Sequence, residues 1–141
     1  MKKILIINSN YYENISTNLL KGAKEVLKKH DVTTHIIDVS GVFEIPVTIR
    51  KYIRKYDGFV ALGCVIRGKT PHFDLICKSS FDGMMKISIN FNKPVGNGII
   101  TALNISQARE RSSLNKKSFK PNKGSEAAKA VISILKNEPK K

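Results

Sequence analysis

Residues 59 to 74 read Phe59-Val60-Ala61-Leu62-Gly63-Cys64-Val65-Ile66-Arg67-Gly68-Lys69-Thr70-Pro71-His72-Phe73-Asp74. An apolar run leads into a glycine-bearing polar turn, and the turn opens a helix with His72 in its first turn. In a parallel α/β sheet such a junction lies at the carboxyl end of a strand, where ligands bind. The free N–H groups of a helix start attract anions. Thr70 is placed to cap this helix, and Pro71 suits its first position. One short segment therefore joins an anion-binding turn to an imidazole that can move protons near neutral pH.

Strand and helix signals alternate on both sides of this stretch. Lys3 to Ile7 fits a buried strand. Ile15 to Lys29 carries Leu19, Leu20, Ala23, Val26 and Leu27 at helical spacing, until His30-Asp31 breaks the pattern. Thr33 to Val39 is β-branched and reads as a second strand. Gly41 to Phe43 is a turn. Pro46 then opens a helix with Val47, Ile49, Ile53 and Tyr56 on its apolar face, ended by Asp57-Gly58. Phe59 to Ile66 is the third strand. His72 to about Asn90 is the longest helix, with Phe73, Ile76, Ser80, Met84 and Ile87 expected on its buried side.

Pro94 to Thr101 is a fourth strand, weakened by Gly96 and Gly98. Asn104 starts a helix, with Gln107 as its capping-box partner. Ser112 to Lys123 is polar and basic and reads as a loop. Ala127 to Leu135 closes the chain as an apolar-faced helix, and Asn137 to Lys141 is a frayed tail. Repeated βα units predict an α/β three-layer sandwich: a four-stranded parallel sheet with helices on both faces. One domain over residues 1–141 is expected, with no internal repeat.

The 141 residues allow a sizeable core, and the 41% hydrophobic fraction is that of a soluble globular protein. No apolar stretch approaches the roughly 18 residues of a membrane span. The opening run Ile4-Leu5-Ile6-Ile7 stops at Asn8-Ser9-Asn10, too early for a signal peptide. Cys64 and Cys77 fit neither a disulfide framework nor a zinc pattern, so a reduced, cytoplasmic protein is expected. The net charge of +14 raises a basic nucleic-acid-binding domain as a different class of function. Against it, the lysines are scattered and no aromatic residues interleave with them. A field that draws in anionic substrates suits either reading.

Four motifs occur in order. They are Gly41-Val42-Phe43-Glu44-Ile45-Pro46; Gly63 to Asp74, quoted above; Gln107-Ala108-Arg109-Glu110-Arg111; and Asn122-Lys123-Gly124 before a small-residue helix. Together they resemble the lumazine synthase family, along nearly the whole chain. The resemblance implies a transferase of riboflavin biosynthesis on a flavodoxin-like fold. Such an enzyme condenses 5-amino-6-(D-ribitylamino)uracil with 3,4-dihydroxy-2-butanone 4-phosphate. The products are 6,7-dimethyl-8-ribityllumazine, phosphate and water. The resemblance implies no metal and no organic cofactor. It implies a homopentamer with active sites between neighbouring subunits, and neither a nucleic-acid nor a membrane partner.

By the same resemblance His72 is the proton shuttle. Lys69 and Thr70 contact the phosphate-bearing substrate and Arg111 pairs with its phosphate. Tyr11 stacks on the pyrimidine, although a shift of one residue would give that role to Tyr12. Val42, Phe43 and Glu44 hold the ribityl chain, with Glu44 also favoured as a carboxylate at a helix start. Cys64, Val65 and Ile66 meet the uracil edge. A Cys64–His72 nucleophile pair is conceivable, but the implied mechanism needs no thiolate, so Cys64 is a small pocket or core residue and Cys77 a core residue. Asn97 and Lys123 reach the pyrimidine from the neighbouring subunit. Asn97, in Gly96-Asn97-Gly98, stands where many members have a phenylalanine. Arg67 orients the loop and Arg109 is solvated. The connection Ser112 to Pro121 looks longer than in members that build hollow shells, so a free pentamer, or at most two stacked, is expected. A nearer rival is the archaeal-type riboflavin synthase, against which the phosphate turn and Arg111 speak.

Overall fold

The computed structural model describes residues 1–117 and 121–139. The elements in order are β1 (Lys2–Ser9), α1 (Glu13–Leu27), β2 (Val32–Val39), α2 (Ile45–Lys51), β3 (Gly58–Ile66), α3 (His72–Phe91), β4 (Val95–Ala102), α4 (Ile105–Arg111) and α5 (Lys123–Lys136). A single 3₁₀ turn, Val42–Glu44, leads into α2. The four strands are all parallel, in the order β2-β1-β3-β4. This is the three-layer, flavodoxin-like arrangement expected from the alternating signals.

Two apolar layers hold it. Ile4, Ile6, Val60, Leu62 and Ile100 pack against Leu19 and Ala23 of α1 and Ala127 and Val131 of α5. On the other face Leu5, Ile7, Phe59, Ala61 and Ile99 pack against Ile45 and Ile49 of α2 and Met84 of α3. β1 and β3 are covered on both sides, which is why each reads as an unbroken apolar run rather than an alternation.

Several boundaries differ from the expected ones. The helix expected from Pro46 to Asp57 ends as α2 at Lys51, and Arg50 to Lys55 continues only as i→i+3 turns. α5 starts at Lys123, earlier than the expected Ala127, because Asn122 caps it by accepting a bond from the Ser125 N–H at 3.0 Å. In α3, Ser80 and Met84 are fully buried, whereas Phe73, Ile76 and Ile87 are only half-buried. Cys77, expected in the core, is likewise half-buried. Asn104 caps α4 as expected, the Gln107 N–H donating to its Oδ1 at 2.9 Å, but the return bond of a capping box falls one residue before the cap. The Gln107 side chain reaches back to the Leu103 N–H at 2.8 Å.

The sheet order creates the site. From β1 the chain crosses to β2 on one side; from β3 it crosses to β4 on the other. A crevice therefore opens between the carboxyl ends of β1 and β3. β3 also outruns its neighbour. Its last paired residue on the β1 side is Leu62, while Gly63 to Ile66 pair only with β4. Cys64, Val65 and Ile66 thus offer a free flank toward the space that β1 has vacated.

Candidate active site

A cleft of about 390 Å³ occupies that crevice. Volume alone does not single it out, since one of about 330 Å³ opens near Asn92, Lys93 and Pro94 at the other end of the sheet. Its chemistry does. The carboxyl-end cleft gathers Ser9 at the end of β1, Tyr11 and Tyr12 after it, Ser40 to Glu44 after β2, Cys64 to Ile66 of β3, and His72 and Ile76 of α3.

Each group is held by local structure. Glu44 ends the 3₁₀ turn, and its Oε1 accepts a hydrogen bond from the Ser40 hydroxyl at 3.0 Å. A Cβ on Gly41 would lie 3.0 Å from that oxygen, so glycine leaves room for the carboxylate to fold back over the turn. Tyr11 and Phe43, 73% and 61% exposed, stand at the rim as aromatic faces without a covering partner. Tyr12 meets Tyr11 edge-to-face, with ring centroids 5.0 Å apart. Burial, then Cys64 and Tyr11, push the Tyr12 phenol up, so it remains a neutral donor.

His72 is the first residue of α3 and is exposed to the cleft. The helix starts at His72 as expected, but Pro71 rather than Thr70 is its N-cap, and the Thr70 Oγ1 accepts a long bond, 3.4 Å, from the His72 N–H. The proline lacks an N–H to offer, and its carbonyl takes the first helical bond, from the Leu75 N–H at 3.2 Å. Arg67 braces this turn. Its N–H donates to the Ala102 carbonyl at 2.9 Å, its Nη1 is 3.6 Å from Asp74, and its guanidinium lies 5.8 Å from the Phe73 ring centre. Both charges are half-exposed, so the ion pair itself adds little. Cys64 is buried, and burial pushes its thiol up to about 11. A neutral thiol at this place is a small wall residue, not an activated nucleophile.

The structure brings together Tyr11, Val42, Phe43, Glu44, Cys64, Val65, Ile66 and His72 in one cleft. It leaves five expected site residues outside its walls. Lys69 and Thr70 are exposed in the turn before α3. Arg111 is half-buried in the last turn of α4. Lys123 opens α5, its Nζ 3.9 Å from the Glu126 carboxylate. Asn97 sits on the edge strand β4 opposite Ala61, three residues before Cys64, or ~10 Å below the cleft at ~3.3 Å per residue. Its Oδ1 accepts from the Ile99 N–H at 3.0 Å, leaving its NH₂ free to donate. Gly96 beside it is required by packing, since a Cβ there would lie 2.3 Å from the Ala127 carbonyl oxygen. Arg109 faces a separate, smaller cleft between α1 and α4.

Sequence reasoning missed Ser9, Ser40 and Ile76. Ser9 and Ser40 follow directly from the rule that ligands gather at strand carboxyl ends. Ile76 is one turn beyond His72 on the same helix face. The Ser9 hydroxyl is fully buried without a hydrogen-bond partner.

Fold and cleft define a class: a flavodoxin-like α/β protein whose cleft at the switch point is lined by an imidazole and a carboxylate beside a helix start. Residues 1–138 match the 6,7-dimethyl-8-ribityllumazine synthase family, and the chain belongs to that family. Three relatives bear the name 6,7-dimethyl-8-ribityllumazine synthase. The one from Bartonella tribocorum is 40% identical over 94% of this chain and 87% of its own. That from Afipia carboxidovorans is 39% identical over 95% and 84%. That from Methylorubrum populi is 36% identical over 94% and 80%. Neither the match nor these names carry a riboflavin synthase or a nucleic-acid-binding domain.

Proposed function

We propose that this chain, as a single domain, condenses 5-amino-6-(D-ribitylamino)uracil with 3,4-dihydroxy-2-butanone 4-phosphate. The product is 6,7-dimethyl-8-ribityllumazine. The observation that carries this is the meeting of Tyr11, Glu44 and His72 in one strand-end cleft of a chain of this family. The pyrimidine lies against Tyr11 and the β3 flank, and its ribityl hydroxyls donate to the carboxylate that Ser40 aims. The phosphate lies at the start of α3, near Lys69 and Thr70, where free N–H groups and the helix dipole favour an anion.

The primary amine adds to the ketone and water leaves, giving an imine. A proton is removed from the hydroxyl-bearing carbon beside it, and phosphate departs with the C–O electron pair. The enol left behind takes a proton on its terminal carbon and loses its hydroxyl proton to become a carbonyl. The ribitylamino nitrogen then closes the ring on the neighbouring carbonyl carbon, with loss of a second water. Each step moves a proton on or off nitrogen, carbon or oxygen, and His72 serves as the shuttle. Holding the two substrates together supplies much of the rest.

A homopentamer with shared sites is part of this proposal. Its support is the position of Asn97, too far below the cleft of its own chain, and the apolar face of α2 and α3. Val47, Leu75, Met85 and Ile89 there are all more than half exposed. A head-to-tail contact between such faces closes into a ring. A cytoplasmic setting is supported by the free thiols, and among the described residues no helix is long and apolar enough to cross a membrane. The test is incubation of the purified protein with both substrates, following lumazine fluorescence over the uncatalysed background. Product formation no faster than background would overturn the proposal.

A further inference from the structure

The connection between α4 and α5 separates two cations, Arg111 and Lys123, by a long polar excursion, yet its two ends are tied together by one side chain. Asn122 is buried. Its Nδ2 donates to the Ser112 carbonyl at 2.9 Å, directly after Arg111, and to the Asn18 carbonyl of α1 at 3.2 Å. Its Oδ1 accepts from the Ser125 N–H at 3.0 Å, capping α5 directly before Lys123. Both ends of the carboxamide are used, and they join three helices.

The surroundings are built to this side chain. A Cβ on Gly22 of α1 would lie 2.3 Å from Asn122 Oδ1, and one on Gly124 would lie 2.2 Å from the Leu19 carbonyl oxygen. α5 therefore meets the α1 backbone directly at Gly124, and at Gly22 the α1 backbone lies against the side chains of Asn122 and Ser125. The arrangement also holds Lys123 where helix electrostatics disfavour it. A cation in the first turn meets the positive end of the α5 dipole. Among the described residues Glu126, 3.9 Å away, is the carboxylate that offsets it. Arg111, at the end of α4, is on the favoured side.

We propose that Asn122 is a positioning residue. It fixes Arg111 and Lys123 in one relation to each other and to α1, so that Arg111 stands ready for the phosphate and Lys123 for the pyrimidine. This rests on the functional reading above and on the roles the resemblance implies, Arg111 for the phosphate and Lys123 for the pyrimidine. The donor half of the carboxamide does this; the acceptor half only caps α5.

The two halves separate experimentally. Asn122→Asp keeps an oxygen for the Ser125 N–H but, ionised, has no hydrogen to give the Asn18, Ser112 and Ser113 carbonyls. Asn122→Ser keeps the oxygen with a single O–H on a shorter side chain in place of two N–H donors. Asn122→Ala loses both. Hydrogen–deuterium exchange, which needs no substrate, is expected to be faster across residues 108–113 in all three variants. In variants whose circular dichroism matches the wild type, the KM for the butanone phosphate is expected to rise roughly tenfold or more while kcat changes less. If Asn122→Asp and Asn122→Ser match the wild type in exchange or in KM, and only Asn122→Ala is impaired, the residue is a helix cap and the proposal is overturned. If the wild type itself forms no lumazine, the functional reading fails. Exchange then still decides the clamp.

Discussion

Replacing Glu44 with glutamine removes a charge and almost nothing else. The side chain keeps its length, and its carbonyl oxygen can still accept from the Ser40 hydroxyl, as Oε1 now does at 3.0 Å. Oε1 is thus committed to the turn, and the other carboxylate oxygen is the one left for a ribityl hydroxyl. A hydrogen bond to a charged group contributes ~1.5–3 kcal/mol and a neutral one ~0.5–1.5 kcal/mol. Losing the charge on one such bond therefore costs ~1–1.5 kcal/mol. At ~1.4 kcal/mol per tenfold, that is a rise of about five- to twelvefold in the KM for the ribitylaminouracil. The KM for the butanone phosphate should stay within about twofold, because the phosphate is assigned to the start of α3, not to this turn. Steady-state kinetics with each substrate varied in turn read both constants. An equal rise in the two, or a rise confined to the phosphate, would refute the assignment of Glu44 to the ribityl chain.

Three other outcomes are expected. His72→Ala should lower turnover by roughly ten- to a thousandfold, the lower end reflecting the rate that orientation alone supplies, and an unchanged rate in folded protein would remove His72 from the mechanism. The Cys64 thiol, raised from 9.0 to about 11 by burial, should hold ~100-fold less thiolate at neutral pH than an ordinary cysteine. Between pH 9 and 11 the folded state keeps this proton while the unfolded chain releases it. Its contribution to stability is thus present below pH 9 and lost as pH rises through about 11. Thiolate absorbance of a Cys77→Ser variant measures it, and titration near or below 9 would contradict the burial argument. Sedimentation should show a five-subunit particle, or two such rings stacked. A hollow shell of many rings would refute the expectation drawn from the connection after α4, and an active monomer would refute the shared site.

Most of the fold was legible because its two signals are strong. The strands are short apolar runs, covered on both faces, and the helices between them carry apolar residues at helical spacing. The boundaries that moved were set by interactions with no period. Asn122 reaches Ser125, Ser112 and Asn18, and so starts α5 before its apolar stripe begins. α2 stops at Lys51 although its apolar face runs on to Tyr56. In the site, the residues on the strand-end turns came from contiguous motifs and share a cleft. Asn97, Arg111 and Lys123 lie on other elements, and one chain does not bring them to it. Sequence order carries no information about a neighbouring copy. Ser9 and Ser40 belong to none of the four motifs. Their meaning lies in the strand order β2-β1-β3-β4, which puts the ends of β1 and β2 beside the projecting end of β3.

The most direct test is to locate a bound pyrimidine. A crystal structure with the lumazine product, or with an unreactive ribityl-pyrimidine analogue, should show the ring against Tyr11 and the Cys64–Ile66 flank. Its ribityl hydroxyls should lie on Glu44, and His72 should be within hydrogen-bond reach of the reacting atoms. Ligand density in the smaller cleft between α1 and α4, or at the other end of the sheet near Asn92 and Lys93, with the strand-end cleft empty, would contradict it.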